Sequence, residues 1–388
     1  MNPSPIDVRI SPSQPIPVER LSSTIRTLIT LDPTEAPVVS CYLDPATAHA
    51  AISERESDLL AVVAPAQRDV LADAFDRVRA YLSNELAAST RGVAVFARGG
   101  NQPMFVAMQF RVPLPVHVGV GEVPNVYHLV ELKDTYDRYV VFITSERYSR
   151  IIEIDLGAAT KELWTQSPDL RDRVRDKWTR DHYQRRRRDR DHHVIDEEVA
   201  LVEKLVLEGK HAYLMLAGPA HRTAFVRSRL SPALQQRLVD THAVSTLARI
   251  DDVVAQTLDR FIATEQQESL DAVSELVLAL RRGGLAVAGT QRTIDALHSG
   301  RADLLVLAKT YPSGPAWQCR KCGWIDMLAE RPATCSACDA VERVVSVERR
   351  EALVRLAERS SVEIELVAES RPLMSIGGVG CLLRFEGM

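Results

Sequence analysis

Four cysteines near the C-terminal end constrain this chain more than any other feature. Cys319-Arg-Lys-Cys322-Gly and Cys335-Ser-Ala-Cys338 are two C-x-x-C pairs separated by twelve residues. Each pair sets two thiolates on one tight turn, and two such turns facing each other supply the tetrahedral S₄ set that Zn²⁺ prefers. Disulfides and a redox pair are the alternatives. A reducing cytoplasm disfavours the first, and redox C-x-x-C motifs do not normally come as facing pairs. The spacing therefore predicts a zinc ribbon over residues 317–340, with Cys319, Cys322, Cys335 and Cys338 as ligands. Four sulfurs leave no open position for water or substrate, so the zinc expected here is structural. Cys41 and Cys381 sit singly in apolar runs and read as small core residues.

At 388 residues the chain is too long for one ordinary core, which points to two or three domains. A hydrophobic fraction of 46% and a charged fraction of 26% are those of a soluble globular protein. The longest apolar runs are strand-sized, so neither a membrane span nor a membrane partner is expected. The first twenty residues are proline-rich and lack the apolar core and cleavage site of a secretory signal, so they read as a loose leader. The expected location is the cytoplasm.

Apolar positions recur at helical spacing over residues 18–31, ahead of Asp32-Pro33. Residues 38–43 read as a strand, 67–86 as a helix, and 92–97 with 104–110 as strands paired around Gly99-Gly100-Asn101. Prolines 113 and 115 and glycines 119 and 121 then break regular structure and bound a first domain at residues 1–122. Residues 126–132, 139–144 and 150–155 read as three strands of an antiparallel meander. A helix over 194–205, a strand over 212–216 and a helix from about 221 complete a middle domain at 123–268. Residues 250–267 and 269–282 read as two helices, the second stopped by Gly283-Gly284. Strand 285–288, helix 290–298 and strand 303–308 form a β-α-β unit, and a helix at 349–358 with strands at 362–368 and 380–385 follows the ribbon. The expectation is α/β class throughout: three consecutive α/β domains, the third (269–388) an α/β/α sandwich with the ribbon inserted.

Residues 171–193 run RDRVRDKWTRDHYQRRRRDRDHH, in a chain whose formal net charge is only −4, so the positive charge is local. Arginine forks match phosphate oxygens, while Trp178, Tyr183 and the histidines offer flat faces to bases. The RNA-contacting residues expected from this stretch are Lys177, Trp178, Arg180, His182, Tyr183, Gln184, Arg185, Arg186, Arg187, Arg188, Arg190, His192 and His193. A second reading fits the same letters. Asp172, Asp176, Asp181, Asp189 and Asp191 interleave with the arginines, as in a solvated helix laced with i,i+4 ion pairs. Four consecutive arginines favour phosphate, because no helix pairs all four with acids on one face. His182, His192 and His193 could also act as acid and base in a tRNA-processing nuclease, although polar contacts in a basic loop are the simpler role.

The order of parts resembles the class-1 release factor and Pelota family of eukaryotes and archaea, in its bacterial branch. The likeness is carried by VSCYLDP at 39–45, RDHYQRRRR at 180–188, LMLAGP at 214–219, GLAVAGTQRTIDALHSGRADLLVLA at 284–308 with the ribbon after it, and GGVGCLLRF at 377–385. It implies an RNase H-like middle domain whose basic tip enters the peptidyl-transferase centre of the ribosome. It also implies a third domain that meets a translational GTPase, elongation factor Tu or another. Members that release peptides carry Gly-Gly-Gln shortly before an Arg-Phe-x-Arg helix start, the glycines allowing close backbone approach and the glutamine placing a water. Matching that start to His182-Tyr183-Gln184-Arg185 puts Asp176-Lys177-Trp178 where the tripeptide would stand. Gln184 falls at a different offset, so no catalytic residue is assigned.

The resemblance thus implies a non-catalytic ribosome-binding factor that contacts ribosomal RNA in the A site of idle or stalled ribosomes, as in hibernation. Two alternatives stand beside it. One is a peptidyl-tRNA hydrolase of ribosome rescue, with Gln184 or a histidine orienting water; the other is a zinc-ribbon RNA-binding regulator unconnected with ribosomes.

Overall fold

The computed structural model describes residues 6–10, 16–31, 34–146, 148–166, 180–209, 211–242, 245, 247–328, 330–341 and 344–385. The chain divides into two compact units, Met1–Thr135 with Glu265–Met388, and Tyr136–Thr264. The α/β class holds in both, and each of the three stretches read from the sequence carries a sheet of its own.

The first stretch comprises β1 (Ile6–Ile10), α1 (Val18–Thr30), β2 (Val38–Leu43), α2 (Ala48–Val62), α3 (Arg68–Asn84), β3 (Gly92–Arg98), β4 (Met104–Phe110), β5 (His117–Gly121) and α4 (Tyr127–Thr135). The sheet order is β1-β4-β3-β2-β5. Every residue of β2, β3 and β4 is buried, as continuous apolar runs covered on both faces require. On one face Leu71, Ala74, Phe75, Val78 and Leu82 of α3, a stripe at helical spacing, pack against Val39, Cys41, Val93 and Val95.

Three expectations change here. Ile6–Ile10, read as part of a loose leader, is a strand parallel to β4. The glycine-bearing stretch at 117–121, read as a break, is the antiparallel partner of β2. Residues 126–132, read as a strand, begin helix α4. Asn125, after Pro124, accepts the Tyr127 N–H on its side chain at 3.1 Å, which starts the helix against the β-propensity of Val126 and Tyr127.

The second unit contains β6 (Tyr139–Thr144), β7 (Tyr148–Asp155), β8 (Ala158–Gln166), α5 (Arg180–Glu208), β9 (Tyr213–Ala217), α6 (Ala220–Arg229), α7 (Pro232–Gln236), β10 (Leu238–His242) and the first part of α8 (Ile250–Arg281). The sheet order is β10-β9-β6-β7-β8, parallel across β10, β9 and β6 and antiparallel from β6 to β8. The meander thus exists one strand later than its sequence signal suggested. Strand alternation sorts the core: Val140 and Phe142 pack with Ile195, Val199, Val202 and Val206 of α5, whereas Tyr139, Val141 and Ile143 pack with Val253 and Phe261 of α8. Two further differences are helical. Among the described residues helix α5 runs from Arg180 and takes in the arginine run, and residues 250–281 form one helix where two were expected, no Gly or Pro interrupting them.

The third stretch adds β11 (Ala286–Ala288), α9 (Thr290–His298), β12 (Ala302–Ala308), β13 (Pro315–Cys319), β14 (Ile325–Asp326), β15 (Val344–Glu348), α10 (Arg349–Arg359), β16 (Glu363–Val367), α11 (Arg371–Ser375) and β17 (Val379–Leu383). One sheet runs β11-β17-β12-β16; the ribbon is a separate antiparallel sheet, β14-β13-β15. Among the described residues no helix is long and apolar enough to cross a membrane.

Helix α10 joins the first and third stretches. Residues Glu351 to Glu358 are all buried, among them the charged Glu351, Arg355 and Glu358. Arg355, 1% exposed, donates to Glu351 at 3.2 Å, to the Pro124 carbonyl at 2.9 Å and to the Ile29 carbonyl at 2.9 Å. Glu351 in turn accepts the Val126 N–H at 3.0 Å, and Lys133 pairs with Glu358 at 2.7 Å. Removing one partner of such a pair strands the other without water. Arg355→Met should lower the stability of the first unit by about 3–5 kcal/mol, whereas the double variant Glu351→Leu with Arg355→Met should recover most of the loss. Urea unfolding followed by a probe in residues 1–135 checks this; an unchanged midpoint for the single variant would show that the pair contributes nothing.

Candidate nucleic-acid interface and metal centre

The 29 residues of α5 divide by what holds them. Its second half lies on the sheet through Ile195, Val199, Val202 and Val206, a stripe at helical spacing. Within that stripe stands Glu198, 3% exposed. Its carboxylate accepts hydrogen bonds from Ser149 Oγ at 3.0 Å and Thr165 Oγ1 at 2.5 Å, which pins α5 to β7 and β8. Burial raises the Glu198 carboxyl, and the two hydroxyls and nearby Arg222 only partly oppose this. One glycine shapes the same end of the sheet. Gly218, at φ +133°, lies so close to the Thr144 carbonyl oxygen that any Cβ would collide with it, and the tight approach sets the start of α6.

Where the helix leaves the sheet, a second set of contacts grips it. The His192 ring stacks on Phe225 of α6 with centroids 4.5 Å apart, and the Arg229 guanidinium lies 5.1 Å from the centre of that phenyl ring. Arg229 also pairs with Asp196 at 3.2 Å, and His193 with Glu197 at 3.4 Å. His192 is therefore packed against an aromatic ring of α6 and lies on a helix, not in the basic loop expected for it.

Arg180, His182, Tyr183, Gln184, Arg185, Arg186, Arg187, Arg188 and Arg190 occupy the first half of α5. The run Arg185 to Arg188 begins ten positions before Ile195, about 15 Å along the axis, and successive helical positions turn by about 100°. Four consecutive arginines are thus set around most of the helix circumference and not along one stripe. Lys177 and Trp178 lie outside the described residues. The anchors Glu198, Phe225 and Arg229 were missed by sequence reasoning. Only Glu198 left a signal, a carboxylate three residues after Ile195 inside an apolar stripe.

The four cysteines form two matched turns. Gly323 N–H donates to Cys319 O at 2.9 Å, as Asp339 N–H does to Cys335 O at 3.0 Å. Lys321 N–H points at Cys319 Sγ and Ala337 N–H at Cys335 Sγ, each at 3.4 Å. Both turns close on a positive φ, at Gly323 and Asp339. The four Sγ atoms lie within 4.8 Å of one another, with Cys319–Cys338 at 3.7 Å and Cys322–Cys335 at 3.5 Å. A disulfide needs about 2.05 Å, so these sulfurs are not bonded to one another. An S₄ tetrahedron around a metal with bonds of about 2.3 Å has edges of about 3.8 Å, and the set fits one. Asp326 ties the two turns together by accepting from Trp324 Nε1 at 3.1 Å and Ser336 Oγ at 2.7 Å. These cysteines could hold a metal ion.

Comparison with known proteins gives a match over residues 124–261 to the family model described as Bacterial archaeo-eukaryotic release factor family 10. No curated protein matches significantly. Among solved structures, an archaeal translation termination factor, aRF1, is 16% identical over 96% of this chain and 99% of its own, with TM-score 0.27. Dom34 of S. cerevisiae, a translation termination-like factor, is 11% identical over 76% of this chain and 79% of its own, with TM-score 0.41. A ribosome-bound archaeal Pelota is 12% identical over 97% of this chain and 96% of its own, with TM-score 0.44. Overlaps this loose transfer neither geometry nor partners.

The buried anchor has a measurable signature. A carboxyl whose folded-state pKa lies above its unfolded value binds an extra proton in the folded state between the two, so stability falls as pH rises through that window. Glu198→Gln keeps the acceptor and removes the charge. The stability difference between variant and wild type should be near zero at pH below about 4 and grow in the variant's favour toward neutrality. Urea denaturation of both proteins across this range measures it, and a difference independent of pH would show that Glu198 is not buried as a carboxylate.

Proposed function

We propose, from a chain that is release-factor-like over residues 124–261, that it is a ribosome-binding factor acting without peptide release. The observation that carries this reading is the division of α5, one continuous helix whose second half packs on the sheet and whose first half holds the arginines. A helix so held can present arginines to phosphates with little loss of backbone entropy on binding. The target proposed is ribosomal RNA at the A site and peptidyl-transferase centre of idle or stalled ribosomes, contacted by Arg180, Arg185 to Arg188 and Arg190, with Lys177, Trp178, His182, Tyr183, Gln184, His192 and His193 around them. This picture is close to that of the ribosome hibernation factor Balon. A translational GTPase, elongation factor Tu in the first instance, is the proposed carrier.

No Gly-Gly-Gln tripeptide occurs anywhere in the sequence, which supports binding without hydrolysis. The glycines are needed for close backbone approach, and Asp176-Lys177-Trp178 at the matching position offers bulk in their place. Zn²⁺ is the metal proposed for Cys319, Cys322, Cys335 and Cys338, since four thiolates at tetrahedral spacing suit it and close its coordination sphere. It would hold the ribbon together and take no part in a reaction.

The experiment is cosedimentation with 70S ribosomes over a range of salt, paired with single-turnover release of labelled peptide. Combined Arg185→Ala, Arg186→Ala, Arg187→Ala and Arg188→Ala should weaken binding and flatten its salt dependence by roughly 0.7–0.9 in log–log slope for each phosphate no longer neutralised. The wild type should bind complexes carrying peptidyl-tRNA and leave the ester intact. An unchanged affinity and slope in the quadruple variant would make the run a solvated helix face. Release abolished by Gln184→Ala would make the protein a rescue hydrolase.

A further inference from the structure

The metal ribbon lies against the seam between the first and third stretches of the first unit. The last carbonyls of a helix have no partner within it and carry the negative end of its dipole. Helix α1 has no basic residue in its last turn. Its cations come instead from α10: Arg355 Nη2 and Arg359 Nη2 both donate to the Ile29 carbonyl, at 2.9 and 3.2 Å. The other amino nitrogen of Arg359 rests on the first cysteine turn, where a Cβ placed on Gly323 would be 3.4 Å from it. Beside this contact a cavity of about 50 Å³ is walled by Thr30 and Leu31 of α1, by Gln318 and Cys319 of the ribbon, and by Arg355 and Arg359. A space of that size holds a water, and the buried Gln318 Nε2 beside it has no protein partner among the described residues. A second tie runs from the ribbon to the first stretch, the Ser346 N–H of β15 donating to Glu122 at 3.3 Å.

We propose that metal binding by the four cysteines latches α1 and the 122–126 connection onto α10, Arg359 acting as the link between the first cysteine turn and the α1 terminus. This rests on the metal-binding reading of the cysteines and is independent of ribosome binding. Metal sets the position of the Cys319–Gly323 turn, which is the surface on which Arg359 sits. Without metal, four sulfurs within 4.8 Å of one another have no common bond to hold them, and their turns are kept by two backbone hydrogen bonds each and by Asp326, which accepts from Trp324 and Ser336. The turn then relaxes, Arg359 loses its rest, and one of the two guanidinium caps on Ile29 is released. Helix α1 should fray at that end and the seam should loosen, while the apolar sheets on either side keep their own cores.

The test uses the full-length chain and hydrogen exchange read by mass spectrometry. Zinc per chain is measured first, then lowered by chelation and restored by added Zn²⁺. Chelation should give roughly tenfold faster exchange in residues 25–31 and 122–126, reversed on restoring zinc, with β6 and β9 of the other unit unchanged. Arg359→Met should produce the faster exchange in residues 25–31 with its zinc retained, which separates the link from general damage to the ribbon. Loss of zinc without a change in those segments, or unchanged exchange in Arg359→Met, would overturn the latch. A chain that binds no zinc at all would remove the metal reading and the latch with it.

Discussion

A guanidinium taken out of water needs partners for its donors, and in this protein the two amino groups of Arg355 find them in parts of the chain far apart in sequence, while its Nε has none among the described residues. Glu351 lies one helical turn away, Ile29 ends α1, and Pro124 precedes α4. A buried charge left short of partners costs several kcal/mol, so each of these contacts favours the burial of the helix. Burial raises the Glu351 carboxyl, and Arg355 with the Val126 N–H pulls it back. The start of α4 is thereby tied to a residue of the third stretch, since the N–H that Glu351 accepts is the one immediately before that helix. Lys133 with Glu358 and Lys309 with Glu131 extend the same seam.

The second unit has a sheet that is apolar on both faces, into which buried polar groups enter in pairs: Arg150 with Glu162, His211 with Glu153 at 2.9 Å, Tyr139 with Thr257 at 3.0 Å, and Glu198 with its two hydroxyls. An apolar core is tolerant of small shifts, because dispersion and burial are not directional. A carboxylate between two fixed hydroxyls is not. Glu198 therefore adds a directional contact to the apolar stripe that holds the second half of α5 on the sheet. The stacked His192, Phe225 and Arg229 hold the helix at the place where sheet contacts end.

Both cysteine turns use the same bonds at the same offsets, down to the N–H pointing at the first sulfur of each pair. That repetition is what brings four sulfurs to one centre from two separate segments. The ribbon also has outward contacts, His298 stacking on Trp324 at 4.8 Å and Arg359 resting by Gly323, so it is part of the unit's packing and not an appendage.

The features legible in the sequence were those encoded by spacing within a short window. The cysteine ribbon followed from two C-x-x-C pairs, β2, β3, β4, β6 and β9 from runs of apolar residues, and α3, α9 and α10 from helical periodicity. The local concentration of arginine was equally plain, since charge needs no partner to be counted. What tertiary structure alone decided were the matters that depend on a distant partner. Residues 126–132 have strand-like composition but become helix because Asn125 starts one and Glu351 receives the Val126 N–H. Ile6–Ile10 is a strand only because β4 offers a parallel edge. Arg355 reads as one more solvated arginine on α10, and Glu198 as one more acid on α5, until burial and three-dimensional neighbours make each the anchor of its unit. A window of sequence records the period of its own side chains; it holds no record of which carbonyl, hydroxyl or strand edge from elsewhere will satisfy a buried polar group.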